Sequence, residues 1–276
     1  EISTMISSYS SAISLDEKIF ARIKLAYENQ KDWNLSFEET RILETTYKSF
    51  VRNGALLESS DKETLRQIDN DLGQLSVKFS SNVLKATNHY FLHITEEKEL
   101  EGIPERVKNG YLEEAKRRNL EGYVITLQAP SFTPFMQYAQ NRERREELYK
   151  GYLGRCQEGD WENFSVLNDI LHLRQKRASL LGYKSHADFV LENRMAKKPE
   201  TVTHFLQEIK KYAKPFAQKE FEHLKELFHQ DFPDQEMKQW DTTYYTEKLK
   251  LKVLNYNEEE LKPYFSMEKS IQGVFD

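Results

Sequence analysis

The chain is poor in glycine and proline and holds a single cysteine. Among 276 residues there are 10 glycines and 7 prolines, against average usage of about 7% and about 5%. So few breakers argue against a turn-rich β protein and for long helices. Glu, Lys, Leu, Arg and Gln, all strong helix formers, fill most of the sequence. The lone Cys156 excludes an internal disulfide framework and a cysteine-rich metal site, and it fits a reducing compartment. No apolar run approaches the ~18–20 residues that cross a bilayer, and no signal-peptide pattern is present. A formal net charge of −5 leaves no basic footprint for nucleic acid. Gly-x-Ser-x-Gly elbows, Walker loops and His-Glu-x-x-His are all missing.

Apolar residues are also scarce. Counted with glycine and without tyrosine they make about 36% of the chain, against a typical ~45–50%. The expectation is that some helices lack partners supplied by a longer protein.

What is present is helical periodicity. Two helices are predicted in the first fifty residues, with stripes at Leu15, Ile19, Ile23 and Ala26 and at Phe37, Ile42, Leu43, Thr46 and Phe50. Ser36 with Glu39 reads as a capping box. Gly54 can supply the positive φ that ends the second helix. Ser60 with Glu63 reads as another box, opening a helix to Thr87 with Leu65, Ile68, Leu72, Leu75, Phe79, Val83 and Ala86 inside and Lys62, Arg66, Asp69 and Lys78 in water. His89 to Thr95 and Tyr123 to Leu127 read as short strands. They flank a helix that starts near Pro104 and buries Val107, Tyr111 and Ala115.

Thr133-Pro134 reads as the cap and first turn of a helix reaching Tyr152. Further helices are predicted from Phe164 to Leu181, from Ser185 to about Met195, from Pro199 over about thirty residues, and up to about Leu254. Pro215 should kink or interrupt the long one. Asn257 with Glu260 and Ser266 open the last two segments, and the final one reaches Asp276 without a cap, as a cut inside an element would. The fold class expected is all-α, mainly long antiparallel helices, with one small two-stranded β element near residues 90–95 and 123–128. No internal repeat and no Pro-, Gly- or Ser-rich linker divides the chain, though a subdivision near 96–130 is open.

Candidate chemistry is thin. His89 and His93 have the spacing of a zinc-binding pair, but they lack the activating glutamate and lie in a strand-like run. Ordinary half-buried histidines are the better reading. Cys156 beside Arg155 reads as a packed small residue, since nothing specific lowers its pKa. Arg142, Arg144 and Arg145 alternate with glutamates and read as a solvated helix face. Phe79, Phe205, Phe216 and Phe221 read as core. Trp240, Tyr244 and Tyr245 cluster beside a loop. Packing is one reading for them; the lining of a channel for an extended peptide is the sharper one.

Several segments, in order, resemble the M3 family of zinc metallopeptidases, the group of thimet oligopeptidase and bacterial peptidyl-dipeptidases. They are Leu75-Ser-Val-Lys-Phe-Ser-Ser-Asn-Val-Leu84, Gly102-Ile-Pro104, and the stretch from Gly122 through Pro130 and Pro134 to Tyr152. Then come Leu173-Arg174 with Ala178 to Tyr183, Asn193 to Ala196 with Pro199 to Val202, and Trp240-Asp241-x-x-Tyr244-Tyr245. Last is Tyr264-Phe265-Ser266, where the family has Tyr-Phe-Pro. The pattern is nearer to bacterial peptidyl-dipeptidases than to animal thimet-type enzymes.

The resemblance covers essentially the whole chain and implies a helical lobe lining a deep channel that admits short unstructured peptides. It implies that residues 1–276 are the N-terminal lobe of such a peptidase. It also implies zinc in the parent protein, held well beyond the Trp-Asp-x-x-Tyr-Tyr region. No catalytic and no metal residue carries over to this chain, and no zinc is expected on it. Its expected partners are short peptides and the missing C-terminal catalytic region, not nucleic acid or membrane. The alternative is a complete, non-catalytic helical module that binds peptides or a protein partner. A cytoplasmic setting is expected. The start at Glu1 leaves room for a removed leader and so for a periplasmic one.

Overall fold

The computed structural model of the chain describes residues 2–255 and 257–276, and of residues 2–4, 7, 8, 258 and 263 the backbone alone. The helices are α1 (Ile2–Ser14), α2 (Glu17–Glu28), α3 (Phe37–Arg52), α4 (Ser59–His89), α5 (Glu105–Arg117), α6 (Ala129–Tyr138) and α7 (Arg142–Leu153). They continue as α8 (Phe164–Leu180), α9 (His186–Leu191), α10 (Pro199–Asp231), α11 (Gln239–Leu254), α12 (Glu258–Leu261) and α13 (Met267–Phe275). Strands β1 (Phe91–Ile94) and β2 (Tyr123–Thr126) form one two-stranded antiparallel sheet, with Phe91 opposite Thr126 and Ile94 opposite Tyr123. The all-α class with one small β element therefore holds.

The chain divides into two compact units. One comprises the residues up to Val83 together with Gly159–Glu208; the other comprises Leu84–Glu158 together with Ile209–Asp276.

In the first unit, Ser36 and Glu39 form the expected capping box of α3, each accepting from the other's backbone N–H. Gly54 ends the turn after α3 at φ +91°. The N-terminal region holds three helices rather than two, because Asp16 caps α2 separately, accepting from Ile19 N–H at 2.8 Å. Phe20 stacks on Tyr47 (5.8 Å) and Phe50 (6.2 Å), which fastens α2 to α3. The start of α4 differs from expectation. The Glu58 carbonyl takes the Lys62 N–H, so Ser60 lies inside the first turn, and Glu63 pairs with Arg66 instead of capping. Lys62 is buried rather than in water, with its ammonium 3.0 Å from Glu17. Asp69 accepts from Arg177 Nε at 2.6 Å, which ties α4 to α8. Asn82 and Asn163 interlock the same two helices, Asn163 donating to the Phe79 carbonyl. On α8 the buried residues are Val166, Ile170 and Ala178, while Leu167 and Leu171 are exposed. Ser185 caps α9, which is shorter than expected and ends at Leu191.

The second unit has the larger apolar core. Val107, Tyr111 and Ala115 are the buried face of α5, as the period predicted. Val107 and Tyr111 pack with Leu92, Ile94, Ile125, Phe135, Met136 and Leu148. Gly122 leads into β2 at φ +82°, and a Cβ there would lie 2.4 Å from the Ile94 carbonyl oxygen. Only glycine fits that turn without strain. Gly151 on α7 meets the Tyr90 ring so closely that a Cβ would lie 2.2 Å from it.

Three proline-based expectations need correction. The helix assigned to Thr133–Tyr152 is two helices. The first, α6, begins at Ala129 with Pro130 in its first turn, so Pro134 falls inside it. The chain turns extended at Ala139 (ψ 121°) before α7 is capped by Asn141. Of the two outcomes expected at Pro215, a kink or an interruption, the interruption does not occur, since α10 runs for 33 residues through it.

The stripe assigned to α10 is also not core along its length. Leu224, Leu227 and Phe228 are buried, but Phe205 and Phe216 are 60% and 68% exposed. Among the described residues none covers that face.

Candidate functional site

The densest polar arrangement lies in the second unit, where α7 meets α11. The break at Ala139 and Gln140 leaves two backbone carbonyls without helical partners. Arg145, one turn into α7, answers both: its Nη1 donates to the Ala139 carbonyl at 2.7 Å and to the Gln140 carbonyl at 3.1 Å. Its Nη2 donates to Asp241 Oδ1 at 2.9 Å, and its Nε to the Trp240 carbonyl at 3.3 Å. The whole side chain is out of water.

Arg142 approaches the same carboxylate from the other side. Its Nε and Nη2 bind Asp241 at 3.0 and 2.8 Å, and Nη2 also reaches the Glu236 carbonyl at 2.9 Å. The guanidinium lies over the rings of Phe228 (5.2 Å) and Phe232 (5.6 Å). Asp241 further accepts from the Lys238 backbone N–H at 2.9 Å, which caps the first turn of α11.

Burial alone would push the Asp241 carboxyl up. The hydrogen bonds from Arg142, the Lys238 N–H and Arg145 outweigh it and hold the group below the usual carboxylate range. Both arginines stay charged, as guanidinium does in proteins. The cluster therefore has no proton to give or take near neutral pH. It is a clamp, not an acid–base pair. The reading of Arg142 and Arg145 as a solvated face is thus overturned. The sequence did carry a signal, since Arg145 lies three residues before the buried Leu148 and so on its side of the helix.

The three aromatic candidates lie in the first two turns of α11, directly after the loop at 232–238. Tyr245 is fully buried and donates its hydroxyl to Asp231 Oδ2 at 2.8 Å. Burial first and the Asp231 carboxylate second push its phenol well up. Tyr244 is half-buried, with Arg145 4.4 Å from its ring centre. Trp240 is half-buried against Tyr149 at 6.2 Å, and its Nε1 is buried without a hydrogen-bond partner. Trp240 and Tyr244 keep some surface; Tyr245 has none.

The remaining candidates stay apart. His89 ends α4 and His93 is in β1, where its Nε2 lies 2.6 Å from the Glu121 carbonyl oxygen. The two share no helical face. Cys156 is half-buried at φ +58°, and burial pushes its thiol up despite Arg155. Among the described residues no three His, Cys, Asp or Glu side chains converge on a point that could hold a metal ion. The donor set does not fit the zinc centre that the resemblance implies for the parent protein. Also among the described residues, no helix is long and apolar enough to cross a membrane.

The family model for peptidase family M3 matches residues 135–276, a span that contains the whole clamp. Oligopeptidase A of Haemophilus influenzae is 33% identical over 278 residues, a match that takes in 99% of this chain and 41% of the relative. Organellar oligopeptidase A of Arabidopsis thaliana is 35% identical over 260 residues, or 91% of this chain and 33% of the relative. Dipeptidyl carboxypeptidase of Escherichia coli is 24% identical over 278 residues, 100% of this chain and 41% of the relative. Identity is thus higher to the oligopeptidases A than to the dipeptidyl carboxypeptidase. The chain spans a third to two-fifths of the length of these relatives. The family model takes in slightly more than half of the chain, and the chain belongs to peptidase family M3.

Proposed function

We propose that the chain is the N-terminal, channel-forming helical part of a zinc metallopeptidase that hydrolyses short peptides. In this reading it supplies confinement and orientation, while the bond-breaking groups lie on further sequence. The observation that carries it is the match over essentially the whole chain to peptidases of which it spans only about two-fifths. The exposed apolar faces add support. Phe205 and Phe216 on α10 and Val274 and Phe275 on α13 lie open to water, as surfaces do when a larger protein covers them.

The chemistry assigned to these residues is modest. Holding an extended peptide in a fixed pose removes translational and rotational freedom before reaction. Trp240 and Tyr244 would offer apolar ring surface to it, held in place by Arg145 and Asp241 behind them. Tyr245 would hold α11 from within. Zinc would come from residues outside this chain and would activate water when bound. A cytoplasmic setting belongs to the same proposal, supported by the single half-buried thiol of Cys156.

Reading the coding sequence downstream of Asp276 tests the proposal. A helix carrying His-Glu-x-x-His is expected there; a stop codon, or a long continuation without that motif, would sink it.

A further inference from the structure

A second polar site lies in the first unit and is independent of the peptidase reading. A cleft of about 590 Å³ is lined by Arg41, Lys48 and Arg52 of α3 and by Lys197 of the connection between α9 and α10, with no Asp or Glu among the described residues of its wall. A basic cleft is unexpected in a chain of net charge −5. Positions 41, 48 and 52 fall on one helical face, since spacings of seven and eleven are close to two and three turns.

The cations differ in how far they are already neutralised. Arg52 is mostly spoken for: Nη1 lies 2.7 Å from Glu192 and Nη2 donates to the Phe189 carbonyl at 2.6 Å. Among the described residues Lys48 has only Glu44, at 3.7 Å and in water, a contact worth little. Arg41 and Lys197 have no carboxylate within ion-pair reach among the described residues. Lys197 is also held in the left-handed region at φ +63°, which non-glycine residues adopt at a steric cost. Strain of that kind collects where a side chain must be aimed. Ser49 and Asn193 add neutral donors to the wall.

The ligand class follows from what the cleft offers and withholds. Two or three uncompensated positive charges call for more than one negative charge. The one aromatic ring in the wall, Phe189, is already engaged by the guanidiniums of Arg52 (4.8 Å) and Arg177 (4.9 Å) and by the edge of Tyr183 (5.2 Å). It offers no platform for a nucleobase. We propose that this cleft binds a small, compact polyanion of the pyrophosphate class, held by Arg41, Lys48 and Lys197 and recognised by charge and oxygen geometry rather than by stacking.

Calorimetric titration of the 276-residue chain with pyrophosphate tests this, alongside two variants. Arg41→Gln/Lys48→Gln/Lys197→Gln removes three exposed charges from the cleft. Lys18→Gln/Lys24→Gln/Lys31→Gln removes three exposed charges elsewhere on the same unit. Saturable one-to-one binding is expected, weakened about tenfold or more in the cleft variant and nearly unchanged in the control. Pyrophosphate should also protect Lys48 and Lys197, but not Lys18 and Lys24, from acetylation in the unmodified chain, a readout that needs no variant to fold. Absence of saturable binding, equal loss in both variants, or uniform acetylation with and without pyrophosphate would overturn the proposal.

Discussion

Arg145 and Asp241 meet at 2.9 Å with both side chains out of water, and the same guanidinium closes two backbone carbonyls left open where α6 breaks before α7. One residue therefore joins three helices of the second unit. A buried ion pair of this kind is weak evidence for net stability, because desolvation offsets much of the attraction. Breaking it is another matter, since the partner and the carbonyls are then stranded.

Arg145→Ala should accordingly destabilise the second unit by about 3–5 kcal/mol. Asp241→Ala should cost a similar amount, and the double variant should cost clearly less than the two together. Urea denaturation of the four proteins checks this. Additive losses would mean that the pair does not act as one clamp.

The clamp has a pH signature. Asp241 is held below its ordinary range in the fold, so its contribution is fully present above the unfolded value of about 3.9. That contribution disappears as pH falls through the lower, folded value. The stability gap between the unaltered chain and Asp241→Asn should be flat from pH 8 to about 5 and shrink below about 4. A gap that changes through the neutral range would contradict the assignment.

Gly151 faces the Tyr90 ring with no room for a methyl group. Gly151→Ala should destabilise the chain by about 1–3 kcal/mol through overpacking. The loss should be smaller in a Tyr90→Ala background, where the ring is gone. Thermal denaturation of the two pairs measures it, and an equal loss in both backgrounds would place the strain elsewhere.

How legible the fold was depended on whether each signal was local. The Val107, Tyr111 and Ala115 face of α5 and the Ser36–Glu39 box are set by residues three or four apart, and both were readable. Lys62 and Arg145 read as solvated because each finds its partner far along the chain, at Glu17 and Asp241. A charged residue looks solvated until its partner is known. Prolines misled in both directions. Pro134 sits inside α6 because the helix starts four residues earlier than the Thr-Pro signal, and Pro215 lies within a helix that continues past it. Phe205 and Phe216 keep the helical period of a core stripe, yet periodicity cannot tell a face that is covered within the chain from one that is not. The candidate site was half legible: the Trp240-Asp241-x-x-Tyr244-Tyr245 run was singled out, but the roles of Asp241 and of the two arginines behind it were not.

The channel-wall proposal predicts a particular kinetic split in the longer gene product. Trp240→Ala, which removes ring surface without touching Asp241, should raise KM for short peptides several-fold while zinc content and the pH profile stay as they were. Loss of zinc with the substitution would assign Trp240 to the fold of the metal centre instead.

The most direct measurement compares zinc content and short-peptide hydrolysis in residues 1–276 and in the product extended through the downstream coding sequence. The expected result is about one zinc per chain and chelator-sensitive hydrolysis in the extended product, with neither in residues 1–276. One zinc per chain with chelator-sensitive hydrolysis in residues 1–276, or an extended product with no metal and no activity, would contradict the account.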